Sequence, residues 1–456
     1  MTRRPAMGPA MPLSHLPAPV SAWFSWIVGA LDRRSAPRLF ALFCGALFAR
    51  GRRTVTSGFR AAGITDEFRH AYSALWAAGR RANALAYRLL GRALLPLMRA
   101  LPGEYLLLAI DDTPTARYGP RVQGAGVHHN PAPGPAGEKY VYGHVWVSLA
   151  WLARHPLWHT LALPLRALLY VRAKDVPELA KHYPWTFRTK LELAAELVGW
   201  LKIWLGGTGK ALWLAVDGAY AKRPLLRPAL AAGLVVFSRL RKDARLYGLP
   251  PARRPHGRRG PMPRYGKRRI DLAKRAGQKR GWQRLSCVQY GKQVVKEVKT
   301  FEATWRPAGG RIRVVIVREP TGWLAFFCTD PAMPAATVLG AMADRGAIEQ
   351  TFKDVKEVWG AGQQQVRNVN ASIGAWSVNL VLFSVVEAWA WGRGEGELVD
   401  RSRCPWDTEC RRPSHADKRK ALQREVLREE IQALGQGRAN AHRFQELARR
   451  LLDMAA

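Results

Sequence analysis

The order of apolar segments between residues 104 and 240 constrains the fold most strongly. Three stretches rich in branched and aromatic residues come first, "YLLLAID", "YVYGHVWVSLAWL" and "LWHTLALPLRALLYV". An amphipathic segment, "PWTFRTKLELAAELVGWLKIWL", is followed by "KALWLAVDGAY", "KRPLLRPALAAG" and "LVVFSRL". These patterns predict three strands, a helix, a strand, a helix and a strand. This order is typical of an α/β fold in which helices flank a mixed sheet.

Residues 20 to 100 have the three- and four-residue apolar spacing of helices, as in "RLFALFCGALFAR" and "EFRHAYSALWAAGRRANALAYRLL". Gly63 is expected to close a short helix and Thr65 to cap the next, with Asp66 and Glu67 in its first turn. Two short helices joined by a tight turn in this way could read the bases of DNA. A helical bundle with a basic outer face fits equally well. The flanking arginines are Arg50, Arg52, Arg53 and Arg60.

The chain beyond residue 240 begins with a segment dense in Arg, Lys, Gly and Pro, which predicts a loop or arm that orders on a polyanion. Three alternating stretches then predict a β-rich insertion. Helical patterns return at "AATVLGAMADRGAIEQTFKDVKEVWG" and close the chain as a helical pair, which Ser414 and Asp417 would cap. The predicted domains are residues 1–103, 104–240, 241–330, 331–392 and 393–456.

Charge favours a nucleic-acid partner over a membrane. There are 72 Lys and Arg against 34 Asp and Glu, a net charge of +38. The longest apolar run, "IGAWSVNLVLFSVVEAWAW", contains Asn379 and Glu387, so it predicts a buried helix. Prolines break the apolar N-terminal stretch, which does not read as a cleaved signal. Five scattered cysteines fit a reducing compartment, and cytoplasm is the expected location.

Two short motifs resemble a zinc site and a phosphate-binding loop, but neither has the residues that such a site requires. Cys404, Cys410 and His415 lack the short CxxC knuckle and the fourth ligand of a zinc site. "GGTGKALWL", residues 206 to 214, resembles the tail of a phosphate-binding loop, but Trp204 and Ala211 occupy positions that need Gly and Ser or Thr. A turn between a helix and a strand explains this segment better.

Acids stand at the ends of two predicted strands. In "EYLLLAIDDTPTARYG" the first strand ends in Asp111 and Asp112, and "LWLAVDGAY" places Asp217 at the end of the fourth. Two adjacent strand ends would offer oxygen ligands to a hard cation such as Mg²⁺. Aspartates that only cap turns are the ordinary alternative. Because successive strand residues point to opposite faces, only one of Asp111 and Asp112 is expected to face such a pocket.

A third group of charges lies in "DRGAIEQTFKDVK". Arg345, Glu349 and Lys356 are spaced by four and seven residues, which places them on one face of a helix. Phe352 lies on the same stripe and could pack the helix against the sheet. A solvated charged face is the alternative, and helix geometry alone favours it.

Together these segments resemble the catalytic core of the DDE transposases of bacterial insertion sequences. The group in question has a ribonuclease-H-like fold with a β-rich insertion between the second aspartate and the glutamate. Its signature is Tyr-x2-Arg-x3-Glu-x6-Lys, and Arg345, Glu349 and Lys356 fill three of the four positions, with Met342 in place of the tyrosine. The resemblance covers residues 104 to about 391, and the flanking helices are similar to the family's terminal regions.

The resemblance also implies which acids bind metal. "AIDDT" is similar to the family's first-aspartate strand, where the acid directly precedes Thr; this selects Asp112 and leaves Asp111 as a turn or supporting group. "LAVDGAY" matches the second strand through Asp217. With Glu349, these acids would hold two Mg²⁺ ions, for which Mn²⁺ could substitute.

The implied activity is cleavage of phosphodiesters at element ends and strand transfer into double-stranded target DNA, by a homodimer on paired ends. An inactive DNA-binding relative and a nuclease without strand transfer are the alternatives. Trp323 resembles a tryptophan that some members stack on a flipped base, although a core tryptophan fits equally well. Segment 239–284 is expected to bind the phosphate groups of the DNA backbone. The expected DNA contacts are Arg345, Lys353, Lys356, Trp323, Arg258, Arg259, Lys267, Arg268 and Arg269.

Overall fold

A twelve-stranded mixed sheet forms the centre of the protein. The computed structural model describes residues 16–64, 68–130, 137–253, 260–402, 406, 412–436 and 448. The strands are β1 (Tyr105–Ala116), β2 (Gly126–His129), β3 (Tyr140–His155), β4 (His159–Tyr170), β5 (Ala211–Val216), β6 (Val235–Leu240), β7 (Leu246–Tyr247), β8 (Arg269–Ile270), β9 (Gln283–Gln289), β10 (Lys292–Trp305), β11 (Gly310–Glu319) and β12 (Gly322–Cys328).

Helices precede, flank and follow the sheet. They are α1 (Ala18–Val28), α2 (Ser35–Phe48), α3 (Val55–Ala61), α4 (Phe68–Arg80), α5 (Ala82–Leu89), α6 (Leu95–Ala100), α7 (Val176–Ala180), α8 (Lys190–Leu205), α9 (Arg223–Ala231), α10 (Leu272–Gly277), α11 (Ala335–Arg345), α12 (Ala347–Glu357), α13 (Val369–Ala390), α14 (Glu395–Leu398) and α15 (His415–Gln436).

The first half of the sheet confirms the predicted strand order. β1 pairs antiparallel with β3, and β4 pairs antiparallel with the other side of β3. β1 also pairs parallel with β5, which pairs parallel with β6. An antiparallel meander that continues into two parallel strands joined by helices is the ribonuclease-H-like arrangement. The short strand β2, which pairs with the start of β3, was not predicted.

The β-rich segment after residue 280 extends this sheet. β12 lies antiparallel to β6, and β11 and β10 follow in turn, so the sheet is continuous across the predicted boundary at residue 240. β7, β8 and α10 lie within the basic segment that was predicted as a loop or arm. Because β12 runs opposite to β6, its first residues reach the edge at which β5 and β6 end.

Two helical layers cover opposite faces of the sheet. Leu107, Ala109 and Ala215 point to the face that α11 and α12 cover, in one buried apolar cluster. Leu108 and Ile110 point to the other face, in the cluster that includes α8. This alternation follows from the pleat of the strands, in which neighbouring side chains point in opposite directions. The alternation decides towards which face the acids in β1 and the acid that follows β5 can point.

The helix predicted to carry Arg345, Glu349 and Lys356 is divided in two. α11 ends at Arg345 and α12 begins at Ala347. Around Gly346 the chain makes tight turns, in which the Gly346 amide donates to Ala343 and the Glu349 amide donates to Gly346. The prediction of one continuous helix was therefore wrong. Hydrogen bonds that span three residues tighten the turn locally, yet Arg345 and Glu349 still meet.

Helix α13 is the core of the helical part of the protein. It is long and apolar enough to cross a membrane, but 83% of its most apolar stretch is buried, as the sequence predicted. A Cβ added to Gly374 would lie 1.9 Å from the Leu75 carbonyl oxygen, so glycine permits the close crossing of α13 and α4. The N-terminal helix α4 therefore packs directly on the core helix. Gly63 closes α3 with φ of 83°, and the predicted cap at residues 65–67 lies outside the described residues.

Helix α15 anchors the C-terminal region to this core. Ser414 and Asp417 form the predicted reciprocal cap at its start. His415 is 2.6 Å from Glu387 through Nδ1 and accepts a 2.8 Å bond from Trp359 through Nε2. Both ring nitrogens of His415 therefore have protein partners. Cys404, Cys410 and the second helix of the predicted pair lie outside the described residues.

Candidate active site

The parallel pairing of β1 and β5 brings two acids side by side. Ile110 lies opposite Val216 in the register, so Asp111 and Asp217 lie at the same level. Asp217 follows the end of β5, but β1 continues through Asp111 and Asp112 to Ala116, so the prediction that the first strand ends at these two acids was wrong. Both follow an alanine two positions earlier that belongs to the α11–α12 face, Ala109 in β1 and Ala215 in β5. We therefore expect the side chains of Asp111 and Asp217 to share that face.

Asp111 is held by the arginine at the end of α11. Its Oδ2 accepts a 2.6 Å bond from the Arg345 guanidinium, and its Oδ1 accepts from the backbone amide of Asp112 at 2.9 Å. Burial raises the pKa of Asp111 to about 6, and Arg345 offsets this only partly, because the charges of Asp112 and Asp217 act in the same direction as burial. Asp111 thus lies in an acidic, partly desolvated cluster.

Asp112 has different partners on the opposite face. Lys190 at the start of α8 lies 2.6 Å from its Oδ2, and the Tyr220 hydroxyl donates to its Oδ1 at 2.7 Å. Thr189 caps α8 in a reciprocal box with Glu192, which fixes where Lys190 begins the helix. Burial and then the charge of Asp112 raise the pKa of Tyr220, so this hydroxyl remains a donor. The sequence-based choice of Asp112 is thus placed away from Arg345 and Glu349.

Asp217 lies in the turn that follows β5. Its backbone carbonyl accepts from the Tyr220 amide at 2.9 Å, and its Oδ2 accepts a long 3.4 Å bond from the Ala219 amide. Within the described residues no cation forms a direct ion pair with its carboxylate. Asp217 is therefore the acid whose oxygens remain most available to an added ligand.

Glu349 lies in the first turn of α12 and faces Arg345. Its Oε1 is 3.1 Å from the guanidinium, and 65% of its side chain is exposed to solvent. An acid in the first turn is favoured by the positive end of the helix dipole. Phe352 is buried against the sheet cluster one turn later, as predicted, and this holds α12 on the face that Asp111 shares.

Arg345 stands among all three of these acids. Burial disfavours its charge, but Asp111, Glu349 and Asp217 outweigh this effect and raise its pKa. The guanidinium contacts Asp111 and Glu349 and is influenced by the charge of Asp217. Carboxylate oxygens are the donors that hard divalent ions prefer. The donor chemistry fits such ions. Among the described residues no three His, Cys, Asp or Glu side chains are grouped so that they could hold a metal ion, and Arg345 bridges Asp111 and Glu349.

The remaining signature positions lie along the same pair of helices. Lys356 is partly buried near the end of α12, and burial lowers its pKa. Lys353 is exposed on α12. Met342, one turn before Arg345, packs at the margin of the apolar cluster and offers no hydroxyl where the signature has tyrosine.

The other expected DNA contacts are spread along the sheet. Trp323 lies at the start of β12, at the edge where β5 and β6 end. The Trp323 side chain is partly buried, and the Lys242 ammonium lies 5.2 Å from its ring centre. Trp323 is therefore neither a fully buried core residue nor a ring without contacts. Lys267, Arg268 and Arg269 are exposed beside β8. Arg258 and Arg259 lie outside the described residues.

One signal in the sequence could have selected Asp111. "LAID", residues 108 to 111, and "LAVD", residues 214 to 217, have the same pattern of two small or branched apolar residues between a leucine and an acid. Aligning the strands on this pattern pairs Asp111 with Asp217. Lys190 and Tyr220 were not identified from the sequence, since nothing local marks either as a partner of Asp112.

Comparison with known families agrees with this geometry. Residues 27–309, more than half of the chain, match the model of a family described as DDE superfamily endonuclease. The matched segment contains Asp111, Asp112 and Asp217 and ends before Arg345 and Glu349. No curated protein matches the sequence.

Proposed function

Because the chain belongs to the DDE superfamily endonuclease family, we propose that it is a DNA transposase of a bacterial insertion sequence. It would cleave phosphodiesters at the element ends and join the freed strand to target DNA. The observation that carries this proposal is that Asp111 and Glu349 both pair with Arg345, while Asp217 lies level with Asp111 beside the neighbouring strand of a ribonuclease-H-like sheet.

Asp111, Asp217 and Glu349 are the proposed ligands of Mg²⁺ or Mn²⁺. When bound, two such ions would activate water or a 3′-hydroxyl and stabilise the leaving oxygen of an in-line displacement. We assign the first acid to Asp111 rather than Asp112, because Asp112 is engaged by Lys190 and Tyr220 on the other face.

The chain's own residues have three further roles in this proposal. Arg345 holds Asp111 and Glu349 together and reduces their mutual repulsion. Lys356 and the exposed cations beside β8 contact the phosphate backbone, which would otherwise be repelled by the acids. Asp112 fixes the middle of β1 against the start of α8. Pairing of two element ends would bring two copies of the chain together.

Glu349→Gln tests the proposal, with Glu357→Gln as the matched control on the exposed end of the same helix. We expect Glu349→Gln to abolish Mg²⁺-dependent nicking of supercoiled plasmid while DNA affinity is nearly unchanged. The control variant should nick at the wild-type rate. Undiminished nicking by Glu349→Gln would contradict the assignment.

A nuclease that cuts without joining is the second candidate, and the family description, which names an endonuclease, favours it. The two activities are separated by supplying a pre-cleaved end with a free 3′-hydroxyl and measuring its joining to plasmid. Joined product supports the transposase. Nicking without any joined product would support the simple nuclease.

A further inference from the structure

An open groove lies beside the end of β1, where loop 360–368 faces α4. Its volume is about 710 Å³, and a hollow of about 220 Å³ adjoins it at Tyr118. The larger volume is within the range of ligand-binding clefts. We name it the Tyr118 groove, and its chemically active lining residues are Arg52, Tyr72, Trp76, Tyr118, Arg121 and Arg367.

The lining of the Tyr118 groove carries only positive charge. None of its lining residues is an aspartate or glutamate. Arg52, Arg121 and Arg367 are exposed, and none forms an ion pair with another described residue. Three unpaired guanidinium groups around one concave surface match the charge of a phosphate backbone.

A buried cation beneath the groove strengthens this positive field. Arg117 is only 6% exposed, and it donates to His144 Nδ1 at 3.1 Å, to the Gln364 carbonyl at 2.6 Å and to the Gly362 carbonyl at 3.3 Å. No carboxylate of the described residues pairs with it. Since neutral acceptors leave its charge uncompensated, Arg117 attracts anions into the groove.

Aromatic side chains are exposed between these cations. Tyr118 is 78% exposed and has no hydrogen bond or ring contact with another described residue. Trp76 is 39% exposed, and the Arg80 guanidinium lies 4.8 Å from its ring centre. Cations interleaved with exposed rings are typical of surfaces that bind unpaired nucleic-acid strands, because bases stack on the rings. A duplex hides the faces of its bases and would not use them.

The Tyr118 groove lies within reach of the acids. Tyr118 is seven residues beyond Asp111, and β1 continues through most of that distance. At about 3.3 Å per residue, the backbone positions of Asp111 and Tyr118 are at most about 23 Å apart. A strand of a few nucleotides therefore suffices to reach from the acids to the groove.

We propose that the Tyr118 groove binds an unpaired DNA strand, with Tyr118 and Trp76 stacking on bases and the surrounding arginines contacting phosphates. The identity of the polymer rests on the proposed function, whereas the preference for an unpaired strand rests on the groove itself. The groove would hold the strand that extends from the cleavage position.

Equilibrium binding of labelled oligo(dT) and of a labelled duplex, measured by anisotropy in EDTA, tests this proposal without requiring catalysis. Tyr118→Ala should weaken oligo(dT) binding by about 5- to 100-fold, the range for losing one base stack, while Tyr118→Phe stays near wild type. Tyr118→Ala should weaken binding of the duplex much less than binding of oligo(dT). Replacing Arg52 and Arg367 by Ala should reduce the salt slope for oligo(dT) by about 1.4.

Tyr290→Ala is the matched control, because Tyr290 is 70% exposed and lies outside the groove. It should leave oligo(dT) affinity unchanged. Unchanged oligo(dT) binding by Tyr118→Ala, or an equal loss for the duplex, would overturn the groove proposal alone. A wild-type protein that binds neither DNA would overturn the proposed function as well, so the two failures are distinguishable.

Discussion

Asp111 accepts a 2.6 Å hydrogen bond from Arg345, which lies 234 residues further along the chain. The same guanidinium reaches Glu349, so this one side chain links the middle of β1 to the first turn of α12. Asp112, the adjacent residue, is held by Lys190 on the opposite face. The two neighbouring aspartates therefore belong to different parts of the structure, and this difference can be tested.

Replacing Asp111 by Asn should lower metal-dependent nicking at least about 100-fold, since a lost metal carboxylate removes several kcal/mol of transition-state stabilisation. Asp112→Asn, its matched control, keeps the shape of the side chain and should cause a much smaller loss. Nicking of supercoiled plasmid with both variants at equal concentration measures the difference. If Asp112→Asn were inactive and Asp111→Asn active, the assignment from the structure would be reversed.

The basic segment makes a separate prediction about DNA affinity. Replacing Lys267, Arg268 and Arg269 by Ala should weaken duplex binding and reduce the slope of log affinity against log salt by up to about 2.7, because each phosphate contact contributes about 0.9. Titrations at several salt concentrations give the slope. Replacing the exposed Lys420 and Arg428 on α15 should change it less per charge, and an unchanged slope in the first variant would exclude these contacts.

Arg419 should be essential for stability rather than chemistry. It is 6% exposed and donates to the carbonyls of Ala46, Leu47 and Ala49 at the end of α2, and to Val358 after α12. Arg419→Ala leaves buried carbonyls without donors and should lower the free energy of unfolding by about 3 kcal/mol or more.

Urea unfolding followed by circular dichroism measures the loss for Arg419→Ala. Lys420→Ala changes an exposed neighbour on the same helix and should shift the midpoint little. Equal midpoints for the two variants would show that the guanidinium does not hold these helix ends.

His144 predicts a dependence of stability on pH. Burial, and then the charge of Arg117, lower its pKa to about 3 from 6.5. The unfolded chain therefore binds a proton at a higher pH than the folded chain, and stability should fall as pH drops from about 6.5 toward 3. The slope from this group approaches about 1.4 kcal/mol per pH unit.

Urea midpoints between pH 7 and 5 test this prediction. His144→Gln cannot take up the proton, so its stability should depend less on pH than that of the wild type. His129→Gln alters an exposed histidine and should leave the wild-type dependence intact. A wild-type slope that persists in His144→Gln would assign the effect to other groups.

Much of the fold follows from local pattern. Apolar runs predicted the five strands of the ribonuclease-H-like half and the buried helix α13, because hydrophobic periodicity reflects which side chains must leave water. The division of the helix at Gly346 was missed, since one glycine within a helical pattern does not by itself show a break. The continuity of the sheet from β6 to β12 was also missed, because strand pairing across 80 residues has no local signal.

The sequence by itself determined that only one of Asp111 and Asp112 could face a given side of the sheet, because strand residues alternate between two faces. It also placed Arg345, Glu349 and Lys356 within a short helical segment. Only the tertiary structure decided that α11 and α12 cover the face of Ala109 and Ala215, and therefore that Asp111 meets Arg345. That choice depends on which face of the sheet each helix packs against, a long-range contact that the alternation of a single strand does not specify.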